Sequence, residues 1–320
     1  MATKLTLPQT IAQVDALKEN LQKVIVGKSE TIDLILISLI AGGHVLLEDV
    51  PGTGKTVLAK ALAASLSADY QRIQFTPDLL PSDVTGLNIY NQAAGEFQFK
   101  QGPVFTNILL ADEINRATPR TQAGLLECME EHQVTIDGHT YPLGAPFFVI
   151  ATQNPLETSG TFPLPEAQLD RFLMKLSMGL PGKEEEVAIL KRFQHEEVLP
   201  TLTAVCSPEA ILSLQAEARN ITLHDDLLQY LAELILRTRT RSDIYSGVSP
   251  RGSLALMKCA QVCALLHNRT YCVPEDLKFV APSVLSHRLI LGRGMQTSSD
   301  ARSIILQILQ EVPVPTEALS

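Results

Sequence analysis

The stretch Leu46-Leu-Glu-Asp49-Val-Pro-Gly52-Thr53-Gly54-Lys55-Thr56 decides how this chain folds. It leads from a short apolar run, His44 to Leu47, into a predicted helix over Lys55 to Ser67. Strand, glycine-rich loop and helix in that order make a phosphate cradle. Backbone N–H groups and the positive helix end face the phosphates, Lys55 reaches the β- and γ-phosphates, and the Thr56 hydroxyl ligates Mg²⁺. In the generic pattern G-x-x-x-x-G-K-[ST] the first glycine falls on Asp49. That position belongs to the strand end, so an aspartate there can point away from the nucleotide. A dinucleotide-binding reading of Gly52-x-Gly54 fails, because Lys55-Thr56 has no role in it and Val57 stands at the third glycine.

Outward from this loop, apolar runs of strand length recur at Ile108 to Ala111, Phe147 to Ala151 and Phe172 to Leu176, with Gln71 to Phe75 as a further candidate. Helices over Thr31 to Ile40 and Arg120 to Glu131 alternate with them, which predicts an α/β core on a parallel sheet. Val134 to Tyr141 alternates around Asp137-Gly138, a pair favoured by type I′ turns, and reads as an inserted β-hairpin. Pro77 to Pro103 carries turn residues without a period and reads as an insertion with one or two short strands.

After Pro181-Gly182 the composition shifts to helix formers, dividing the chain into an α/β core over 1–181 and a helical domain over 182–320. There Leu227, Leu228, Leu231, Leu234 and Ile235 share a helical face. Ser249-Pro250 reads as an N-cap with proline at the first helical position, leading to Leu254, Leu256, Met257, Val262 and Leu265. Pro274-Glu275-Asp276 opens another helix in the same way.

Composition narrows the class. The chain has 320 residues, a formal charge of −9, 45% apolar and 19% charged residues and no tryptophan. Disorder and collagen-like structure are excluded, and the acidic balance argues against broad phosphate-backbone binding. Cys128, Cys206, Cys259, Cys263 and Cys272 lack disulfide-framework spacing and read as buried free thiols in a reducing cytoplasm. Met1 to Leu7 has no signal-peptide core, and the greasy stretch Leu34 to Leu47 is too short and too interrupted to span a bilayer. No His/Cys/Asp cluster has metal-ligand spacing, and His132 and His139 read as surface residues beside the hairpin.

Polar residues at strand ends supply the chemistry. Ile108-Leu-Leu-Ala-Asp112-Glu113 ends an apolar strand on two carboxylates, one for Mg²⁺ (Asp112) and one to polarise the attacking water (Glu113). Asn154 ends the Phe147 strand, on the side where open α/β sheets bind ligands. Arg251, in the first turn after Ser249-Pro250, opposes the helix dipole and reads either as an exposed surface charge or, with the helix end, as a phosphate ligand. Arg171 precedes the Phe172 strand, either as an arginine finger or in a salt bridge with Asp170 or a nearby acid.

Together these segments resemble the AAA+ ATPases, and among them the MoxR family. The stretches that carry the resemblance are Leu47 to Thr56, Ala111 to Gln122, Gln153-Asn-Pro155, Gly160 to Phe172 and Ser249-Pro-Arg-Gly252. The resemblance implies a P-loop NTPase core with a helix-2 insert at Pro77 to Pro103 and a pre-sensor-1 hairpin at Asp137-Gly138, both lining a ring pore, followed by an all-α lid. It also implies Lys55 and Thr56 as Walker A, Asp112 and Glu113 as Walker B, Asn154 as sensor 1, Arg171 as a finger acting in trans and Arg251 as sensor 2. Val26-Gly27 would contact adenine, with Gly52, Thr53, Gly54 and Val57 completing the ATP contacts. A homo-oligomeric ring, usually a hexamer, is implied, as is a chaperone that spends ATP on protein clients. Such proteins work with von Willebrand factor A domain partners, inserting a metal cofactor or maturing a complex.

The competing reading is a DNA-associated motor or loader of the restriction type. The charge of −9 and the lack of a dense Lys/Arg run beside stacking aromatics speak against it. A scaffold that binds ATP without hydrolysing it is disfavoured by the intact Asp112-Glu113 pair.

Overall fold

The computed structural model describes residues 7–155, 160–194, 199–292 and 298–315. Of the N-terminal stretch read for targeting, only Leu7 falls within them. The chain opens with helices α1 (Leu7–Val24) and α2 (Ser29–Ile40), strand β1 (Val45–Glu48) and helix α3 (Lys55–Leu66). There follow β2 (Tyr70–Gln74), α4 (Pro81–Thr85), the hairpin β3 (Gly86–Asn91) and β4 (Glu96–Gln101), β5 (Ile108–Asp112) and α5 (Pro119–Glu131). The hairpin β6 (Gln133–Ile136) and β7 (His139–Pro142), then β8 (Phe148–Gln153), α6 (Glu166–Leu169) and β9 (Met174–Leu176), complete the first half. The second half holds α7 (Lys183–Phe193), α8 (Pro208–Ala218), α9 (Asp225–Thr240), β10 (Ile244–Ser246), α10 (Pro250–Leu266), α11 (Pro274–Leu285), β11 (Ile290–Leu291) and α12 (Ser298–Glu311).

Five strands form one parallel sheet in the order β2-β5-β8-β1-β9. The apolar runs of the sequence are these strands, with ends shifted by one or two residues. Alternate side chains leave a strand on opposite faces, and the two faces bury different sets. Val45, Leu47, Leu110 and Ile150 join a cluster with α1, α2, α3 and the second-half helices. Leu46, Leu109, Ala111 and Val149 join another with Leu125, Leu126 and Met129 of α5. The first cluster continues from the sheet into α8–α11, so the lid packs directly on α2 and β9.

The Asp137-Gly138 turn has positive φ at both central residues (49° and 79°), as a type I′ turn requires. The Pro77 to Pro103 insertion is more ordered than its sequence suggests. It holds α4 and two strands of six residues each. Its hairpin lies against the neighbouring one, with Phe99 stacked on Tyr141 at 4.2 Å and Asn88 Nδ2 donating to Asp137 Oδ2 at 2.6 Å. In the lid, Leu227, Leu231, Leu234 and Ile235 are buried as predicted, whereas Leu228 is exposed. Leu254 is likewise exposed on α10, where the small residues Ala255 and Cys259 take the inner face instead. The short antiparallel pair β10–β11 ties the helical lid together. All five cysteines are buried free thiols. No helix among the described residues is long and apolar enough to cross a membrane.

Candidate functional site

Between β1 and α3 the chain must turn sharply while keeping its amides free, and Gly52 and Gly54 do this with φ of 87° and 88°. Gly52 has open space where a Cβ would stand, so backbone conformation rather than crowding requires glycine there. Lys55 Nζ donates to the carbonyls of Asp49 (2.8 Å) and Val50 (3.4 Å). Burial pulls this ammonium below its ordinary value, while Asp49, Asp112 and Glu113 push back. Thr56 and Val57 follow in the first turn of α3, both half-buried. Thr53 donates its hydroxyl to the Val50 carbonyl.

Asp49, the departure from the generic pattern, points away from the phosphate amides. Buried at 5% exposure, it accepts from Ser177 Oγ (2.7 Å) and from the backbone N–H groups of Met178 (2.7 Å) and Gly179 (2.9 Å). It thereby ties the loop to the segment after β9. A Cβ on Gly54 would stand 3.6 Å from Ile25 Cδ1 and 4.0 Å from Met178 Cε. The α1–α2 link, the P-loop and the post-β9 segment therefore meet. Val26 and Gly27 lie in that link, Gly27 with φ of 74° and the Glu185 side chain packed against it.

Asp112 and Glu113 end the interior strand β5. The Thr152 hydroxyl on neighbouring β8 donates to Asp112 Oδ1 at 2.6 Å and accepts from the Glu113 N–H at 2.9 Å, so one side chain orients both acids. Arg72 pairs with Asp112 Oδ2 at 2.7 Å. Gln74 and Arg116 donate to Glu113 Oε2 at 2.8 and 3.0 Å. Glu113 itself sits at φ 54°, a conformation uncommon for a non-glycine residue that aims its side chain off the strand line. Asn154, half-buried, follows β8 by one residue and lies on the same strand-end edge. The sequence reading missed Thr152, Arg72 and Gln74. The β2–β5 register, Gln74 opposite Asp112, is the signal that finds two of them.

The two arginines are elsewhere. Arg171 Nε and Arg251 Nη2 both pair with Glu130, at 3.3 and 3.1 Å. Glu130 lies in the last turn of α5, whose preceding carbonyl, Met129, bonds His44 just ahead of β1. Arg171 precedes β9. This node therefore occupies the edge of the sheet where strands begin, while the P-loop occupies the edge where they end. The length of a four-residue strand, roughly 13 Å at 3.3 Å per residue, separates them. Within one chain Arg251 and the P-loop do not meet.

The expectation of no metal-type cluster needs correction. Cys263 of α10 and His267, four residues on at its C-cap, come together with Asp276 of α11, their ligand atoms within 4.8 Å. Asp276 is already neutralised by Arg269, at 2.7 and 2.6 Å, and also accepts from the Val273 N–H. Burial pushes the Cys263 thiol far up, so it stays protonated. The cluster is a lid-packing contact.

Comparison with known proteins agrees with the fold. The family model described as ATPase family associated with various cellular activities matches residues 44–174, and that of the AAA lid domain matches residues 236–308. YeaC of Bacillus subtilis is 51% identical over 93% of this chain and 94% of its own length. The protein named chaperone MoxR1 of Mycobacterium tuberculosis is 41% identical over 92% of this chain and 80% of its own. The MoxR protein of Paracoccus denitrificans is 31% identical over 92% and 94%. A crystal structure of a Cytophaga hutchinsonii protein described as an ATPase superposes with a TM-score of 0.89, at 41% identity and 97% coverage of both chains.

Proposed function

The chain belongs to the MoxR-like AAA+ ATPases, and on that premise we propose that it hydrolyses ATP with Mg²⁺ in a ring of identical subunits and uses the cycle to remodel protein clients. The observation that carries the reading is the Thr152 hydroxyl holding Asp112 and Glu113 at the strand ends, facing a lysine whose charge both acids sustain. The donor set fits ATP and its ion: left-handed glycines at 52 and 54, Lys55, the Thr56 hydroxyl at a helix start, and a carboxylate at Asp112. Thr56 and Asp112 would hold Mg²⁺, which supplies charge neutralisation on the phosphates.

Lys55 exchanges its weak loop carbonyls for phosphate oxygens. Glu113 accepts the proton of the water that attacks the γ-phosphorus, and the bond to the β-bridging oxygen breaks with ADP leaving. Asn154 orients that water. Val26-Gly27 and the post-β9 segment receive the adenine. Arg171 and Arg251 meet on one carboxylate at the far edge of the sheet, which supports both acting on a neighbour's γ-phosphate, their exposed pairing with Glu130 being weak enough to yield to it. The β3–β4 hairpin exposes Leu87, Ile89, Tyr90 and Phe97, the last two in an edge-to-face pair at 5.3 Å. An apolar tip of this kind suits an unfolded polypeptide, and a von Willebrand factor A domain partner and metal-cofactor insertion belong to the same proposal.

Steady-state hydrolysis and nucleotide binding test the core of this reading. Lys55→Ala abolishes ATP binding, and Glu113→Gln retains binding while turnover falls by about 100-fold or more. Equal turnover in wild type and Glu113→Gln would sink the mechanism.

A further inference from the structure

Arg288, in the short turn after α11, is one of the most enclosed charges in the molecule, its side chain 3% exposed. Its Nε donates to Asp170 Oδ1 at 2.6 Å. Nη2 donates to the carbonyls of Asp170 (3.1 Å) and Phe172 (2.7 Å), and Nη1 to those of Leu173 (3.1 Å) and Val284. Asp170 in turn accepts from Ser249 Oγ through its other oxygen at 3.1 Å. Ser249 is the N-cap of α10, its hydroxyl also accepting from the Gly252 N–H at 3.4 Å. Gly252 is where Arg288 passes beneath α10: a Cβ there would stand 2.4 Å from Val248 Cγ1 and 2.9 Å from Arg288 Cδ.

Three separate pieces of chain are thus fastened at one point. They are the loop that carries Arg171, the helix start that carries Arg251 and the turn that supplies Arg288. Burying a guanidinium is costly, and well-packed apolar residues often hold a fold as firmly as a buried ion pair. What a guanidinium adds is direction, since its planar fork of donors fixes the orientation of every acceptor it touches.

We propose that Asp170 and Arg288 are positioning residues that hold Arg171 and Arg251 as one rigid unit, so that both reach a neighbouring subunit's nucleotide together. The inference rests on the trans-acting reading above.

Subunit complementation with full-length chains tests it. Arg288→Met subunits keep the P-loop and lose the lock. Lys55→Ala subunits keep the lock and cannot bind ATP. Alone, Arg288→Met hydrolyses ATP about 100-fold slower than wild type and Lys55→Ala shows no turnover. Mixed in equal amounts they recover about a quarter of the wild-type rate, because half the sites bind ATP and half of those face an intact arginine unit. A parallel mixture of Arg171→Ala with Lys55→Ala reports on the trans reading by itself. Recovery in that reference but not with Arg288→Met overturns the lock. Recovery in neither overturns the trans reading, and the lock with it.

In uniform Arg288→Met the KM for ATP stays within about twofold of wild type while kcat falls, the split expected when a group acts only in the transition state. A raised KM with unchanged kcat would overturn the assignment. Asp170→Asn carries the same expectations and replaces Arg288→Met if that variant lacks the wild-type circular dichroism. Arg288→Lys keeps the charge without the fork, so its kcat stays about tenfold low. Wild-type turnover in Arg288→Lys would overturn the argument from orientation.

Discussion

On the proposed function the two edges of the central sheet carry opposite halves of one active site. Where the strands end, amides and carboxylates are held ready: Gly52, Gly54 and Lys55 for phosphate, Asp112 and Glu113 fixed by Thr152. Where they begin, the chemistry is cationic, with Arg171 and Arg251 sharing Glu130 and Arg288 buried behind them. On the proposed reading each edge is catalytically incomplete by itself, and turnover requires the beginning edge of one copy to meet the ending edge of the next, a heterologous contact of the kind that closes into a ring.

Removing the cation is the strongest way to break that division. Arg171→Ala is expected to lower kcat by about 10³-fold while the nucleotide Kd, read with a fluorescent analogue, stays within about twofold. A matching loss of affinity would mean that the beginning edge binds ground-state nucleotide as well, and the division of labour would fail.

Acid should damage the beginning edge. His44 accepts from the Val149 N–H through Nδ1 at 3.0 Å, so Nε2 carries the proton it donates to Met129 O, also at 3.0 Å. Burial pulls its pKa down to about 4. The folded state then refuses a proton that the unfolded chain takes up below its ordinary 6.5, so stability is full above 6.5 and falls as pH drops toward 4. The loss reaches roughly 2 kcal/mol by pH 5. Buried His287 adds to it in the same direction. Urea unfolding at pH 7.5 and pH 5 measures the difference, and an equal midpoint at both would contradict it.

A smaller effect sharpens the ending edge. Thr152→Val keeps the shape and deletes both hydrogen bonds, leaving the Glu113 N–H without its partner. About a tenfold fall in kcat is expected, with Thr152→Ser recovering most of it. A loss in ATP affinity instead would place Thr152 in binding rather than in alignment of the acids.

What the sequence revealed follows the same division. The P-loop and the Asp112-Glu113 pair are contiguous, and their function depends on neighbours along the chain, so both were legible. Thr152, Arg72 and Gln74 act across strands, and nothing in their own surroundings marks them apart from register. Arg251 was recognisable as a residue, but its distance from the P-loop follows from where the lid packs, which local patterns do not encode. Arg288 was invisible because a lone arginine in a helical region reads as a solvated charge. Leu228 was grouped by periodicity with the buried face of its helix and is exposed instead.

Asp49 gives the finest test, because there the departure from the generic pattern is itself the informative residue. Asp49→Gly restores the consensus glycine, and motif reasoning alone would forecast equal or better nucleotide binding. The structure predicts the reverse. The Lys55 contact is to the Asp49 carbonyl and survives the change, whereas the three bonds to Ser177, Met178 and Gly179 are lost. Freeing that segment withdraws Met178 from beside Gly54 and loosens one wall of the proposed adenine site. Ordering it again on binding costs about 1 kcal/mol, so the KM for ATP should rise about fivefold with kcat little changed. An unchanged KM would show that the tether serves folding alone, and a fall in kcat would show that it also reaches the acids at the strand ends.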